Sequence, residues 1–402
     1  MNVVYICVIF KINMENIFNN TKVAFSLKSD TELDRAYFLF KMIANQPLVR
    51  IGTAVTNFAL KANLPVEGLI RATVFDHFCG GVSETDCMPV VDKMFTKGVS
   101  SVLDYSVEGK EDEAHFDDAM QMALKIIDFA QEKKSIPFVV FKPTGFGRFE
   151  LYEKLGEGKL LNEEEKQEWN RVEARFEKVC HAAHQKNILL LVDGEESWMQ
   201  DAADELVEKM MRKFNKEKPV VFNTLQMYRW DRLDYLKKLH QRAKSDGFTI
   251  GMKLVRGAYM EKENNRAGEK GYPSPICVDK EATDKNYDDA ADYMMQNLDC
   301  MSIYLGTHNE ESSYKMLQLM SQNGISNDDN RIWFGQLYGM SDNISYNLAE
   351  NGNNVSKYLP FGPVKDVMPY LIRRAEENTS VAGQTSRELN LLKTERNRRK
   401  DK

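Results

Sequence analysis

Eight short apolar runs, each followed by a stretch of helical periodicity, are the feature that most constrains the fold of this chain. The runs are rich in β-branched residues and apolar at consecutive positions, which is typical of parallel strands buried on both faces. They lie at 100–106, 137–143, 188–194, 220–226, 248–257, 301–308, 332–339 and 356–362. Amphipathic stretches follow at 114–133, 147–186, 197–215, 230–245, 283–298, 309–323, 341–351 and 364–378. Eight strand–helix units predict a (β/α)8 barrel.

The main alternative is a doubly wound open sheet, which binds its ligand at one switch point of the strand order. No GxGxxG motif opens the first strand–helix unit, and TGFGRF at 144–149 contains only two of the three glycines. Polar residues follow every strand, which favours the barrel. The long stretch 147–186 is predicted to be two helices, because Asn162 with Glu165 has the spacing of a helix N-cap.

The regions outside the barrel divide the chain into three predicted parts. Residues 1–95 are interpreted as a helical N-terminal arm, 96–385 as the catalytic barrel and 386–402 as a solvated polar tail. Because Met14 is a second candidate start, residues 1–13 are interpreted as disordered or not translated. The apolar stretch 3–10 has no basic flank and is too short to span a bilayer, so neither a signal peptide nor a transit peptide is predicted.

Charge and cysteine content exclude several classes of protein. The formal net charge is -6, which argues against nucleic-acid binding. The six cysteines include no CxxC pair, and His308 has no second His or Cys at ligand spacing, so no metal site is predicted. This pattern is typical of a reducing compartment. We expect a cytoplasmic protein that is at most peripheral on the inner, or respiratory, membrane.

Polar and charged residues follow the predicted strands, and in a barrel the carboxyl ends of the strands share one face. Those residues are Glu108, Lys142, Asp193, Gln226, Lys253, Arg256, Thr307, His308, Asn309, Gln336 and Tyr358, and the last helix adds Tyr370, Arg373, Arg374 and Glu377. The cations are concentrated near strands two, five and eight of an acidic chain. This concentration predicts an anionic ligand, together with an electron-rich cofactor.

Individual residues of this set leave several roles open. Lys142 and Asp193 could form a plain salt bridge, or a lysine that binds an anionic substrate and an aspartate that holds the lysine. Gln226 offers the donor and acceptor that bind the edge of a heterocycle. His308 could be a general base, a metal ligand or a hydrogen-bonding contact.

Nine motifs, spread over residues 95–385 and in the same order, resemble proline dehydrogenase, the flavin-dependent (β/α)8 enzyme. They are FKPTG (141–145), VDGEE (192–196), TLQMY (224–228), KLVRGAY (253–259), TDKNY (283–287), GTHN (306–309), QLYGM (336–340), YLPFGP (358–363) and PYLIRRAEENTS (369–380). The resemblance implies oxidation of L-proline to Δ1-pyrroline-5-carboxylate, with hydride transfer to FAD and then electron transfer to a quinone-type acceptor. Nothing in the sequence indicates the oligomeric state.

The resemblance also implies roles for individual residues. Asp193 and Lys253 form the catalytic set. Lys142, Arg373 and Arg374 are implied to bind the substrate carboxylate. The residues implied to contact the substrate ring are Tyr358, Tyr370, Leu337 and Tyr259. Glu108 is implied to act as a gate that pairs with Arg373. The residues implied to bind FAD are Gln226, Lys253, Arg256, Gly257, Ala258, Thr307, His308, Asn309 and Glu377.

One departure and three rival functions accompany the resemblance. Many bacterial members have Arg at the position of Lys253 and Lys at that of Arg256, so which of the two reaches N5 of the flavin is open. A Schiff-base lyase or aldolase would use Lys142 or Lys253 as nucleophile, but the chain lacks the Gly-rich phosphate loops of such barrels. A non-catalytic anion-binding barrel is the second rival. Hydroxyproline is the third, and the phenol of Tyr358 argues for proline instead.

Overall fold

Eight parallel strands form a closed barrel, and their order around the barrel follows their order in the chain. The computed structural model describes residues 16–45, 47–49, 52, 54, 67–107, 111–380 and 384–401. The strands are β1 Val99–Tyr105, β2 Phe138–Phe141, β3 Leu189–Val192, β4 Val221–Gln226, β5 Ile250–Val255, β6 Met301–Gly306, β7 Ile332–Leu337 and β8 Val355–Phe361. The predicted (β/α)8 barrel is confirmed.

Helices precede the barrel and alternate with its strands. Before β1 lie α1 Thr21–Ala24, α2 Asp30–Ile43, α3 Glu67–Ile70, α4 Asp76–Phe78 and α5 Met88–Phe95. Between and after the strands lie α6 Glu113–Ala130, α7 Phe149–Gly156, α8 Glu163–Lys186, α9 Ser197–Phe214, α10 Arg232–Asp246, α11 Met260–Lys270, α12 Lys280–Gln296, α13 Glu310–Gln322, α14 Asp342–Glu350, α15 Val364–Ser380 and α16 Gln384–Lys400. Short 3-10 turns occur at Ile17–Asn19 and Pro143–Gly145, and a π turn at Arg71–Phe75.

The predicted break within 147–186 is confirmed at Asn162. The Asn162 side chain accepts a hydrogen bond from Glu165 N at 2.9 Å, and Glu165 Oε2 accepts one from Asn162 N at 2.8 Å. This reciprocal pair satisfies two backbone donors at the start of α8, so the chain begins a new helix after α7.

Two helices were not predicted from the sequence. In α11 only Glu263 and Ala267 are buried, so the segment has no apolar stripe for the periodicity to reveal. The other is α16, which occupies the segment expected to be a solvated polar tail. Leu391 and Leu392 of α16 are buried, and so are the polar residues Thr385, Glu388 and Glu395, so the segment is a packed helix.

The chain divides into two compact units, Gly109–Gly335 and the combination of Met1–Glu108 with Gln336–Lys402. In the combined unit, α16 packs on α1 and α2, where Leu391 and Leu392 join Phe25, Leu33 and Phe40 in one apolar cluster. Within the described residues, no helix combines the length and the apolar character that crossing a bilayer requires.

Candidate active site

Three charged side chains meet at the carboxyl ends of β2, β3 and β5. Lys142 directly follows β2, Asp193 directly follows β3, and Lys253 lies in β5 with 5% of its surface exposed. Lys142 Nζ donates to Asp193 Oδ2 at 3.2 Å, and Lys253 Nζ donates to Asp193 Oδ1. The predicted contact between Lys142 and Asp193 is present in this arrangement, and Lys253 joins the same carboxylate.

The electrostatics of this cluster favour the charged forms. Burial opposes ionisation of Asp193, but the ammonium groups of Lys253 and Lys142 lower its pKa to about 2. A carboxylate that is ionised throughout the neutral range therefore lies between two ammonium groups. The cluster carries one net positive charge, which is suited to an anionic ligand.

Glu195 supports this cluster from the next turn of the same loop. Thr144 N donates to Glu195 Oε2 at 3.0 Å, and Thr144 Oγ1 donates to Glu195 Oε1 at 2.7 Å. Thr144 lies two residues after Lys142, so this contact links the segment after β2 to the segment after β3. Burial raises the pKa of Glu195 to about 7. No role was predicted for Glu195 from the sequence, although its place in VDGEE, two residues after Asp193, could have indicated one.

A buried polar network fixes the backbone of the Glu195 segment. Glu195 N donates to Gln200 Oε1 at 2.8 Å, and Gln200 Nε2 donates to Asp204 Oδ1 at 2.9 Å. Asp204 also accepts from Arg232 Nη2 at 2.6 Å and from Asn223 Nδ2 at 2.9 Å. Partners on α9, β4 and α10 therefore support the segment, which leaves little freedom for Asp193 to move.

Arg256 makes three hydrogen bonds to groups beyond β5. Its Nε donates to Asp284 Oδ1 at 2.7 Å, its Nη1 to Thr307 Oγ1 at 3.0 Å and its Nη2 to Ser312 Oγ at 3.0 Å. The guanidinium carbon also lies 4.5 Å from the centre of the Tyr287 ring. Arg256 is thus turned towards α12 and α13, whereas Lys253 is turned towards Asp193.

Gly257 is required by the close approach of the chain to Tyr228. Its φ is +137°, and a Cβ placed on it would lie 2.5 Å from the Tyr228 ring. A larger residue would have to displace either the ring or the segment after β5. Gly257 and Ala258 are both exposed residues.

The remaining predicted cofactor residues of this unit end neighbouring strands. Gln226 is the last residue of β4 and is 2% exposed. Thr307 follows β6 and accepts from Asn309 N at 3.1 Å, while Asn309 caps α13 by accepting from Ser312 N at 3.1 Å. Half-buried His308 lies between them. Tyr259 is the residue before α11 and is also half-buried.

The predicted ring-binding and carboxylate-binding residues of the other unit lie on β7, β8 and α15. Leu337 ends β7, and the residue after it donates from Tyr338 N to Tyr358 O of β8 at 2.8 Å. On α15 the guanidinium of buried Arg374 lies 5.1 Å from the Tyr370 ring centre, and Arg373 is half-buried. Glu108 and the side chain of Glu377 lie outside the described residues.

Fold and charge together define a (β/α)8 protein with a rigid, cation-rich site at the carboxyl ends of β2, β3 and β5. The family model described as proline dehydrogenase matches residues 87–387. The chain belongs to the proline dehydrogenase family. It is therefore a flavin-dependent oxidoreductase, and its activity is that of a proline dehydrogenase.

Individual relatives resemble the chain over most of its length. The carbapenem antibiotics biosynthesis protein CarD of Pectobacterium carotovorum is 37% identical over 90% of this chain and 94% of its own. Mitochondrial proline dehydrogenase 1 of Arabidopsis thaliana is 31% identical over 93% of this chain and 85% of its own.

A solved structure shares the fold. The crystal structure of proline utilization A from Bdellovibrio bacteriovorus, inactivated by N-propargylglycine, has a TM-score of 0.70 and 21% identity. The match covers 92% of this chain and 37% of that protein, so this chain spans little more than a third of its length.

Proposed function

We propose that this protein oxidises L-proline to Δ1-pyrroline-5-carboxylate with FAD as the hydride acceptor and a quinone as the final electron acceptor. The observation that carries the proposal is the Asp193 carboxylate between the ammonium groups of Lys142 and Lys253. Such a cluster is suited to an amino-acid carboxylate on one side and an electron-rich ring on the other. Membership of the proline dehydrogenase family supports the reaction.

The residues at the ends of β4, β5 and β6 fit a flavin. Gln226 at the end of β4 supplies an amide, Lys253 of β5 an ammonium and Arg256, directly after β5, a guanidinium. Gln226 pairs in register with Val255, the residue before Arg256. Gly257 and Ala258 are exposed, and the absence of a side chain on Gly257 permits close approach of a ligand. The proposed FAD contacts are Gln226, Lys253, Arg256, Gly257, Ala258, Thr307, His308, Asn309 and Glu377. Bound FAD would supply the acceptor for the hydride that leaves the carbon next to the ring nitrogen.

Lys253 is the cation that we assign to the reacting ring. The three hydrogen bonds of Arg256 are taken by Asp284, Thr307 and Ser312, which turns its guanidinium away from Asp193. Lys253 is buried in β5 and bonded to Asp193, so its charge is fixed where water is scarce. A fixed charge in a dry site stabilises negative charge that develops during a reaction. Asp193 and Lys253 are therefore the proposed catalytic pair.

Proline binding is assigned to cations for the carboxylate and to apolar walls for the ring. Lys142, Arg373 and Arg374 would neutralise the carboxylate, and each charge-assisted hydrogen bond contributes about 1.5–3 kcal/mol. Leu337, Tyr259, Tyr358 and Tyr370 would hold the ring and exclude water, and Glu108 would close the site by pairing with Arg373. Holding the donor carbon in place is what makes hydride transfer efficient.

A quinone acceptor dissolves in membranes, so the proposal includes a cytoplasmic protein with peripheral contact to the respiratory membrane. Delivery of electrons to a quinone in liposomes, measured as quinone reduction that depends on proline, tests this part. Reduction of artificial dyes but not of quinone would contradict the proposed acceptor and leave the oxidation of proline intact.

The oxidation itself is tested with the purified protein and FAD. We expect a yellow protein whose oxidised-flavin absorbance disappears anaerobically on addition of L-proline. A parallel sample with hydroxyproline should react more slowly. A protein that does not take up FAD, or a bound flavin that proline leaves oxidised, would contradict the proposed function.

A further inference from the structure

A second buried charge cluster lies beneath the loop that follows β7. Asp342, the first residue of α14, accepts from Lys357 Nζ at 2.8 Å through Oδ1 and from Lys28 Nζ at 3.0 Å through Oδ2. The Lys357 side chain is fully buried, and that of Asp342 is 8% exposed. Lys28 comes from the N-terminal arm, between α1 and α2, whereas Lys357 comes from β8.

The same cluster holds the backbone of the loop, residues 337–341. Lys357 Nζ donates to Met340 O at 2.7 Å and to Leu337 O at 3.4 Å. Because a carbonyl can only accept, His77 Nε2 donates to Gly339 O, at 3.0 Å. Burial lowers the pKa of His77 to about 3, so the neutral ring makes this bond.

Backbone geometry shows that the surroundings impose the conformation of the loop. Ser341 has φ +52°, a left-handed conformation that a residue with a Cβ rarely adopts. Gly339 has φ +80°, and a Cβ on it would lie 2.3 Å from His77 O. A conformation of this kind persists only where neighbouring contacts fix it.

We propose that Asp342 is a positioning residue for proline binding: with Lys357 and Lys28 it fixes the loop that begins at Leu337 and is bonded to the backbone of Tyr358. The N-terminal arm thereby acts on substrate affinity through one ion pair. This inference rests on the proposed function, because Leu337 and Tyr358 are assigned to the proline ring only there.

Lys28 is the residue of this cluster that is best suited to substitution. Its side chain is 23% exposed, so a substitution there disturbs packing less than one at Lys357. Lys28→Met removes the ammonium and keeps an unbranched chain of similar length. Lys28→Arg keeps a charge that can pair with Asp342. Exposed Lys22 of α1 is the matched control, because Lys22→Met makes the same chemical change on the same arm.

The experiment compares the steady-state kinetics of the FAD-loaded variants with L-proline as substrate. Lys28→Met is expected to raise KM about tenfold, equivalent to ~1.4 kcal/mol. Its kcat should stay near the wild-type value, because a displaced wall weakens binding of substrate and transition state alike. Lys28→Arg and Lys22→Met should keep a KM near that of the wild type. If Lys28→Met does not fold, Asp342→Asn tests the same contact, with the same expected rise.

The outcomes separate this inference from the proposed function. A lower melting temperature of Lys28→Met with unchanged KM would mean that the cluster is structural only, and would overturn the inference. An equal rise in KM for Lys28→Arg would do the same, because the pair with Asp342 would not be the cause. A wild-type flavin that proline does not reduce would overturn the proposed function, and this inference with it.

Discussion

Lys142 Nζ lies 3.2 Å from Asp193 Oδ2, while the second oxygen of the same carboxylate accepts from Lys253. One aspartate therefore fixes two ammonium groups that the proposed function gives to different molecules, the substrate carboxylate and the flavin. A change at Asp193 should affect both, whereas a change at either lysine should affect mainly one.

Asp193→Asn should lower kcat/KM by about a hundredfold, because breaking a buried ion pair costs roughly 3–5 kcal/mol and part of that cost reaches the transition state. Both KM for proline and kcat should change. Steady-state kinetics at equal flavin content measure the effect. Asp289→Asn, which removes a surface carboxylate paired with Lys285 on α12, is the control and should leave both constants unchanged. A normal kcat in Asp193→Asn would show that Asp193 is not part of the catalytic pair.

Glu195 should make stability depend on pH between about 4.5 and about 7. Burial raises its pKa from 4.5 to about 7 in the folded protein, so the folded state binds more protons than the unfolded state in this window. The stability that Glu195 contributes is therefore present at the acidic end and lost as the pH rises towards 7. Glu195→Gln should show a smaller fall in melting temperature between pH 5 and pH 8. Equal falls in the two proteins would contradict the assignment.

Arg256→Lys should weaken flavin retention more than it slows the holoenzyme. Lysine keeps the charge but lacks the planar guanidinium whose three nitrogens point at Asp284, Thr307 and Ser312. Flavin content after dialysis should fall, while kcat per bound flavin stays close to wild type. Lys253→Met is the comparison and should show the opposite pattern. If Arg256→Lys instead abolishes turnover with flavin fully bound, Arg256 is the cation beside the reacting ring.

Tyr358→Ser should raise activity with hydroxyproline relative to proline, because removing the phenol makes room for a hydroxyl on the ring. The ratio of kcat/KM values for the two substrates measures the effect. Tyr37→Ser, at another half-buried tyrosine of the same unit, controls for general loosening. An unchanged ratio in Tyr358→Ser would remove Tyr358 from the specificity assignment.

Periodicity predicted the barrel because each strand is a separate apolar run, and the order of the charges at the strand ends predicted the contact between Lys142 and Asp193. Other features depend on the folded chain. In the sequence, Asp342 looks like an ordinary aspartate at a helix N-terminus, because only the folded chain places Lys28 and Lys357 next to it. Arg256 and Lys253 look equivalent in KLVRGAY, yet their side chains take opposite directions from β5. Helix α11 has too few buried residues to leave a pattern.

The pairing of α1 and α2 with α16 has a consequence for how the chain folds during synthesis. Thr21 donates to Glu395 across 374 positions at 3.0 Å, and Phe25 and Phe40 share one apolar cluster with Leu391 and Leu392. The ribosome releases residues 21–43 before residues 384–400, so their partners in α16 have not yet been made. The apolar face of these helices therefore stays uncovered while the barrel is translated, and chaperones can bind it during that interval.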